Sequence, residues 1–187
     1  MTYYALVAYF DQAFEGKFDG LQKHLIDQGI TNPFMGIKGS RPHLTLADFE
    51  SDCLDQLIQD LDRALDQVVI LDLDIEQVSS FLSTGLIFFG PLITQDLLAL
   101  HQGIYQACGK YTVAGSYYLP GRWNPHITIG FGFDQETFNQ VFNYCRLSFG
   151  PLETQIKSLA LMEVVKEEET ILEVKTHYKK TLKGARG

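Results

Sequence analysis

The sequence predicts a fold of strands and helices that form two similar lobes, related by approximate two-fold symmetry. The 187 residues alternate between segments with the two-residue period of strands and segments with the spacing of amphipathic helices. The order strand, helix, loop, strand, helix, strand occurs once before Gly85 and again after it. One short motif opens the middle strand of both halves, at positions 83 residues apart.

This repetition predicts a pseudo-two-fold arrangement within a single domain that spans residues 1–187. The two lobe-forming repeats are expected at about 1–84 and 85–178, followed by a basic tail at 179–187. An approximate two-fold axis places equivalent strands beside each other at the centre. The repeated motifs of the two halves are therefore expected to face one cleft.

The elements of the first half follow from local composition and spacing. Runs of aromatic and branched residues predict strands, whereas apolar residues three and four positions apart predict helices. In order, the predicted elements are a strand over Tyr3–Phe10, a helix over Phe14–Gln28, a strand over His43–Phe49, a helix capped by Ser51 or Asp52 that ends near Leu65, and one or two strands over Val68–Phe81.

The second half repeats this order and adds a final strand. Pro91 favours a sheet edge or a strand end because proline has no N–H to donate, and Asp134 is expected to cap a helix. In order, the predicted elements are a strand over Leu86–Leu92, a helix over Thr94–Cys108, a loop over Lys110–Asn124, a strand over His126–Phe133, a helix over Asp134–Cys145, and two strands, Leu152–Val165 and Thr170–Tyr178, around a charged turn at Lys166–Glu169.

Charge and composition exclude several classes of function. The formal net charge of -8 argues against an extended nucleic-acid surface, which requires many Lys and Arg contacts to phosphates. A small site for one or two phosphates remains compatible with this charge. Three widely spaced cysteines without a CxxC pair predict buried or partly buried free thiols. Because the chain has neither a signal-peptide pattern nor a membrane-spanning apolar run, we expect a cytoplasmic protein without a membrane partner, and a monomer.

The repeated motif is a strand that begins with Pro-His and continues with an alternating polar and apolar pattern. Its two copies read PHLTL at residues 42–46 and PHITI at residues 125–129. Alternation along a strand places each histidine and the threonine two positions later on one face, and the apolar residues on the other. Since a polar face is costly to bury against apolar groups, we expect it to line a wet cleft.

Two imidazoles and two hydroxyls around one point suit the hydrolysis of a phosphodiester. A neutral imidazole takes a proton from water, an imidazolium donates one to the leaving oxygen, and both forms exist near neutral pH. Threonine hydroxyls can donate hydrogen bonds to the non-bridging oxygens. Neither motif supplies a carboxylate or cysteine to complete a metal site, so we expect no metal and no cofactor. A module that binds a nucleotide in the same cleft without turning it over is the alternative.

Residues around the motifs are candidates for substrate binding. Cations could hold a phosphate, arginine in a bidentate manner, although such residues can also be solvated loop charges. Aromatic residues could stack on a base, although the single tryptophan could equally fill the core. The helical histidines His24 and His101 are expected at the surface. The candidate substrate-binding residues are Lys38, Arg41, Tyr118, Arg122 and Trp123.

The sequences His43-Leu44-Thr45-Leu46 and His126-Ile127-Thr128-Ile129 resemble the paired signatures of the two-histidine (2H) phosphoesterase superfamily, the 2′-5′ RNA ligase-like proteins. Chain length, bilobal order and motif separation extend the resemblance over nearly the whole chain. It implies a bilobal α+β fold, with antiparallel sheets flanked by helices around a central cleft. It also implies metal-independent action on 2′,3′-cyclic phosphates or on 2′-5′ and other RNA phosphodiesters, with ligation as the reverse direction. The substrate is then a small nucleotide or an RNA end.

By this similarity, His43, Thr45, His126 and Thr128 form the catalytic set. For hydrolysis of a 2′,3′-cyclic phosphate, we expect His126 to act as the base toward water and His43 as the acid toward the leaving oxygen. The symmetry of the site leaves the reverse assignment open. Ligation exchanges the two roles by microscopic reversibility.

Overall fold

The computed structural model describes residues 1–31, 37–167 and 170–184. Its helices and strands occur in the predicted order. They are β1 (Thr2–Phe10), α1 (Gln12–Asp27), β2 (Leu44–Ser51), α2 (Leu54–Ala64), β3 (Leu71–Ser80), β4 (Ile87–Pro91), α3 (Gln95–Cys108), β5 (Ile127–Gly130), α4 (Gln135–Ser148), β6 (Leu152–Glu167) and β7 (Thr170–Thr181). Part of the predicted loop before β2 (32–36), part of the charged turn (168–169) and the last residues of the predicted tail (185–187) lie outside the described ranges.

Side-chain caps begin three of the four described α-helices. Asp11, Thr94 and Asp134 each accept a hydrogen bond from the backbone N–H three residues later. The prediction for Asp134 is thereby confirmed. The cap predicted for α2 at Ser51 or Asp52 is wrong, because α2 begins at Leu54 and the Cys53 side chain makes no cap hydrogen bond.

Several strand boundaries differ from those predicted, by up to three residues. β5 ends at Gly130, whereas the pattern predicted a strand to Phe133. β7 continues to Thr181, so residues 179–181 pair with β6 although they were predicted as the start of a basic tail. Leu182, which follows, is buried. The apolar side chain and the ladder of backbone hydrogen bonds keep this segment on the sheet.

The two lobes share one antiparallel sheet with the strand order β1-β2-β5-β4-β3-β6-β7. β6 also pairs with β1, so six strands close into a ring and β7 lies beside β6. Pro91 is the last residue of β4, which is an interior strand of the sheet. A strand end is one of the two positions predicted for it.

Strand register reveals the pseudo-two-fold axis. The contact between β2 and β5 joins Leu44 to Ile127, and the β3–β6 ladder includes the pair Asp72 and Gln155. The partners are 83 residues apart in both pairs, which is the separation of the repeated motifs. Residues that pair with their own repeat equivalents lie on the two-fold axis. The axis therefore passes through the β2–β5 contact, where the two motifs meet.

The apolar residues of both motifs belong to the main core. Leu44, Leu46, Ile127 and Ile129 have no solvent exposure, as the alternating pattern predicted. They pack in one cluster with the buried faces of the four helices. Burial of a side chain of this size contributes about 1.5–3 kcal/mol, so the core position of these residues strongly favours the opposite face for His43 and Thr45. Within the described ranges, none of the helices combines a membrane-spanning length with a sufficiently apolar sequence.

Candidate active site

The two motifs meet at the antiparallel pair of Leu44 and Ile127. In an antiparallel ladder, the residue before one partner lies opposite the residue after the other. His43 therefore lies opposite Thr128, and Thr45 lies opposite His126. Strand alternation directs these four side chains to the face away from the core, and His43 and Thr128 line one cavity together. Each histidine is thus beside the threonine of the other motif.

Backbone carbonyls orient both imidazoles in the same way. His43 Nδ1 lies 2.7 Å from the carbonyl oxygen of Arg41, and His126 Nδ1 lies 2.8 Å from that of Asn124. Because a carbonyl oxygen only accepts, Nδ1 carries the hydrogen in both rings. Nε2 is then the nitrogen that takes up or releases a proton in catalysis, which is the tautomer that a general base requires.

The surroundings lower the pKa of both histidines below the ordinary value of 6.5. Burial is the main cause in each case, because it disfavours the charged imidazolium. The hydrogen bonds to the Arg41 and Asn124 carbonyls oppose this effect. A positive charge on His126 lowers the pKa of His43 further. The two rings are therefore close enough to interact. Their proximity favours the state in which only one of the two imidazoles is protonated.

An aromatic wall supports His126. Phe81 meets the imidazole edge-on at 4.9 Å between ring centroids, and Phe88 meets it at 5.5 Å. Phe88 lies opposite Thr128 in the β4–β5 ladder. Neither residue was among the sequence-based candidates. Phe88 reaches His126 through the register of β4 against β5, and Phe81 does so because the end of β3 lies beside the start of β4. The local sequence carries no signal for that register.

Thr45 is held by the loop that precedes the second motif. The Tyr118 hydroxyl lies near the Thr45 side chain, which opposes the rise that burial causes in the Tyr118 pKa, and Trp123 Nε1 donates to the Thr45 carbonyl at 3.0 Å. The structure thus brings Tyr118 to the motif. Trp123 instead stacks on His101 at 4.0 Å between ring centroids, so one face of the indole is covered. This packing matches the core-filling alternative for Trp123 and leaves base stacking without support.

Two histidines outside the motifs are more enclosed than expected. His101, expected at the surface, is only 3% exposed and hydrogen-bonds the Tyr118 carbonyl at 2.7 Å. His24 stacks on Tyr144 at 3.9 Å between ring centroids. The expectation for His101 is wrong because the loop before the second motif folds back over α3, which a helical pattern alone does not reveal.

The candidate cations occupy different environments. Arg41 lines the cavity beside His43, where Glu15 accepts two hydrogen bonds from it at 2.6 and 2.7 Å. Lys38 pairs with Glu173 at 3.1 Å. Arg122 donates to the Gly115 carbonyl at 3.1 Å within its own loop. Of the three, the structure brings only Arg41 into the cavity that His43 lines.

The exposed Cys53 and the buried Cys108 and Cys145 are free thiols. All three were expected to be buried or partly buried, and the exposed Cys53 departs from that expectation. Within the described part of the chain, no three or more His, Cys, Asp or Glu side chains are grouped so that they could hold a metal ion. The polar side chains that the two motifs contribute to the shared face are imidazoles and hydroxyls.

Comparison with protein families gives one match over most of the chain. The model described as the 2′-5′ RNA ligase superfamily matches residues 18–168. This range contains both histidine motifs. A search of the curated proteins finds no match.

Solved structures with this fold include bacterial proteins of very different sequence. Apo E. coli LigT aligns with a TM-score of 0.62 at 12% identity, over 97% of this chain and 98% of LigT. TT0787 of Thermus thermophilus aligns with a TM-score of 0.62 at 15% identity, over 98% of this chain and 100% of that chain. LigT complexed with 3′-AMP aligns with a TM-score of 0.61 at 11% identity, over 97% and 98% of the two chains. At such identities, the likeness concerns the fold.

Proposed function

The chain belongs to the 2′-5′ RNA ligase superfamily, and from this premise we propose that it hydrolyses a 2′,3′-cyclic phosphate or a 2′-5′ RNA phosphodiester by two-histidine acid–base catalysis. Family membership was predicted from the two motifs and is confirmed by the family match. One observation carries the proposal of activity. The pairing of Leu44 with Ile127 assembles two imidazoles and two hydroxyls on one polar face.

The reaction proceeds with one proton accepted and one donated. The neutral histidine takes a proton from water through Nε2, and the resulting hydroxide attacks phosphorus. The bond from phosphorus to a ribose oxygen breaks, and the protonated histidine gives its Nε2 hydrogen to that oxygen. Thr45 and Thr128 donate hydrogen bonds to the non-bridging oxygens, where negative charge accumulates. This scheme needs no metal ion.

The shape of the site favours one assignment of the two roles. A cavity of about 240 Å³ adjoins His43 and Thr128, whereas Phe81 and Phe88 wall the far side of His126. A nucleoside placed in the cavity directs its leaving ribose oxygen toward His43. The attacking water then approaches in line from the side of His126. We therefore assign His126 as the base and His43 as the acid in hydrolysis, with the roles exchanged in ligation.

A nucleotide or an RNA end is the proposed substrate class. E. coli LigT has been solved with 3′-AMP and with NADP+, and both are nucleotides. Arg41 beside His43 is the cation best placed to meet a phosphate, on condition that the phosphate displaces the Glu15 carboxylate. The net charge of -8 favours a compact ligand over a long nucleic acid.

A substrate panel tests this function directly. The panel contains the four nucleoside 2′,3′-cyclic phosphates and a 2′-5′-linked dinucleotide, incubated in EDTA with product identification by chromatography. We expect hydrolysis of at least one compound. A cyclic phosphate should give either the 2′- or the 3′-phosphate and not a mixture, because the ribose is held on one side of the two histidines. Tight binding by calorimetry without any product supports the non-catalytic alternative and contradicts the proposal.

The pH dependence of kcat/KM is expected to be bell-shaped with its maximum below pH 6.5. Both histidine pKa values are lowered from 6.5 by burial. Above the higher apparent pKa of the pair, the acid loses its proton, and below the lower one the base gains a proton, so activity falls on both sides. Initial rates at low substrate concentration from about pH 4.5 to about pH 8.5 span both limbs of this profile. A maximum well above pH 6.5 contradicts the assignment of both limbs to these histidines.

A further inference from the structure

We propose that the cavity beside His43 is a base subsite that prefers a nucleobase with an exocyclic amino group. This inference rests on the proposed function, since it places the phosphate on the His43–His126 face. The cavity lies between α1 and the segment that leads to His43. His43 and Thr128 line this cavity and also belong to the polar face of the two motifs, called the motif face below. A nucleotide whose phosphate lies between the two histidines can therefore extend its base into the cavity.

The size and walls of the cavity suit a single base. Its volume is about 240 Å³, below the roughly 300–1,000 Å³ of sites that enclose a drug-sized ligand. Phe18, Ile26 and Ile37 provide apolar surface against which a flat ring can pack. One ring of a nucleotide fits these dimensions, whereas a dinucleotide does not.

Hydrogen-bond acceptors on α1 provide the selectivity. Gln22 Nε2 donates to the Ile129 carbonyl at 3.0 Å, which fixes the orientation of the amide. Gln22 Oε1 is then left without a hydrogen-bond partner. Among the described residues, no other buried side-chain nitrogen or oxygen atom lacks one. A buried acceptor without a donor is unfavourable. Gln22 lines the cavity although this atom is shielded from solvent, so a ligand donor satisfies it after a small adjustment of the side chain.

A second acceptor lies one turn earlier on the same helix. Asp19 is exposed and lines the cavity with Gln22. Arg41, the cation of this wall, already donates to Glu15. At the α1 wall, the exposed Asp19 carboxylate and the Gln22 side chain therefore favour amino hydrogens of a bound ring over carbonyl oxygens. Cytosine carries an amino group at the ring position where uracil carries a carbonyl oxygen, so these two bases are distinguished at such a wall.

Two of the equivalent positions in the second repeat border a much smaller space. His101 and Tyr105 of α3 occupy the positions equivalent to Phe18 and Gln22, at the same 83-residue separation. The space that His101 and Tyr105 line has a volume of about 10 Å³. Tyr118 also lines it. The histidines and threonines of the two motifs are thus arranged symmetrically, whereas the cavities beside α1 and α3 differ in size.

The test compares cytidine and uridine 2′,3′-cyclic phosphates as substrates of the wild-type protein and of two variants, Gln22→Leu and Asp19→Asn. We expect the wild type to prefer the cytidine compound by about tenfold in kcat/KM, the size of one well-made hydrogen bond to a base. Both variants should bring this ratio several-fold closer to one, mainly through slower turnover of the cytidine compound. Asp19 is exposed, so Asp19→Asn tests the subsite even if Gln22→Leu fails to fold.

Gln102→Leu provides the matched control, because Gln102 is the exposed repeat equivalent of Asp19 on α3. It should keep the wild-type ratio. Equal turnover of the two compounds by the wild type, or an unchanged ratio in both variants, overturns the subsite and leaves the proposed function intact. The proposed function fails only if no compound of the full substrate panel is hydrolysed, and neither of these two pyrimidine compounds need be a substrate for it to hold. If neither of the two is hydrolysed, the same ratio is measured as the relative affinity for CMP and UMP by calorimetry, where equal affinities overturn the subsite.

Discussion

His43→Ala and His126→Ala are each expected to reduce kcat for the best 2′,3′-cyclic phosphate by about 10²- to 10⁴-fold, the range that general acid–base catalysis contributes. Either variant removes one of the two proton-transfer groups, and the threonine hydroxyls that share the motif face cannot replace an imidazole as acid or base near neutral pH. Because acid and base act in one step, the double variant should be little worse than the single variants. Steady-state rates in EDTA, with circular dichroism to verify folding, measure the effect.

His177→Ala is the matched control for these variants. His177 is an exposed histidine on β7 whose Nε2 pairs with Glu163 at 2.7 Å, so its loss should leave turnover near the wild-type value. Activity within about tenfold of wild type in either motif variant contradicts the two-histidine mechanism. A large loss in His177→Ala indicates instead that removal of any histidine disturbs the fold.

Thr45→Val and Thr128→Val are each expected to lower kcat by about 10²- to 10³-fold, the effect of removing one donor that stabilises the charged transition state. Valine keeps the branched shape and the β propensity of threonine, so the strands should form normally. KM should change little, because these hydrogen bonds strengthen as negative charge develops on the phosphate oxygens.

Thr45→Ser and Thr128→Ser separate the hydroxyl from the methyl group. Both should retain most of the activity because they keep the donor. Wild-type rates in the valine variants contradict a role for the hydroxyls, and equal losses in the serine and valine variants point to packing.

The candidate set of two histidines and two threonines was predictable because it depends on local rules. A strand places every second side chain on one face, so Leu44 and Ile127 as core residues define the direction of His43 and Thr128. The 83-residue repeat predicted that equivalent strands meet at an axis, and the β2–β5 contact confirms this expectation. Helix positions followed from apolar spacing, and most of their ends lie within a few residues of the predicted ones.

The residues that surround the two histidines and two threonines were decided by the tertiary structure. The sequence contained Glu15 and Arg41, but only the fold brings them together. The packing of Trp123 on His101 depends on how a long loop folds over a helix of its own repeat, and Gln22 reaches the Ile129 carbonyl only because α1 lies beside β5.

The sequence by itself therefore determined the elements, the repeat and the face that carries the two histidines, since these depend on short periods along the chain. The tertiary structure decided which threonine lies beside which histidine, which cation enters the cavity, and why one side of a symmetric centre is open while the other is filled. These features depend on strand register and on contacts between residues far apart in sequence. Such contacts are selected by the packing of the whole chain, and no local pattern records them.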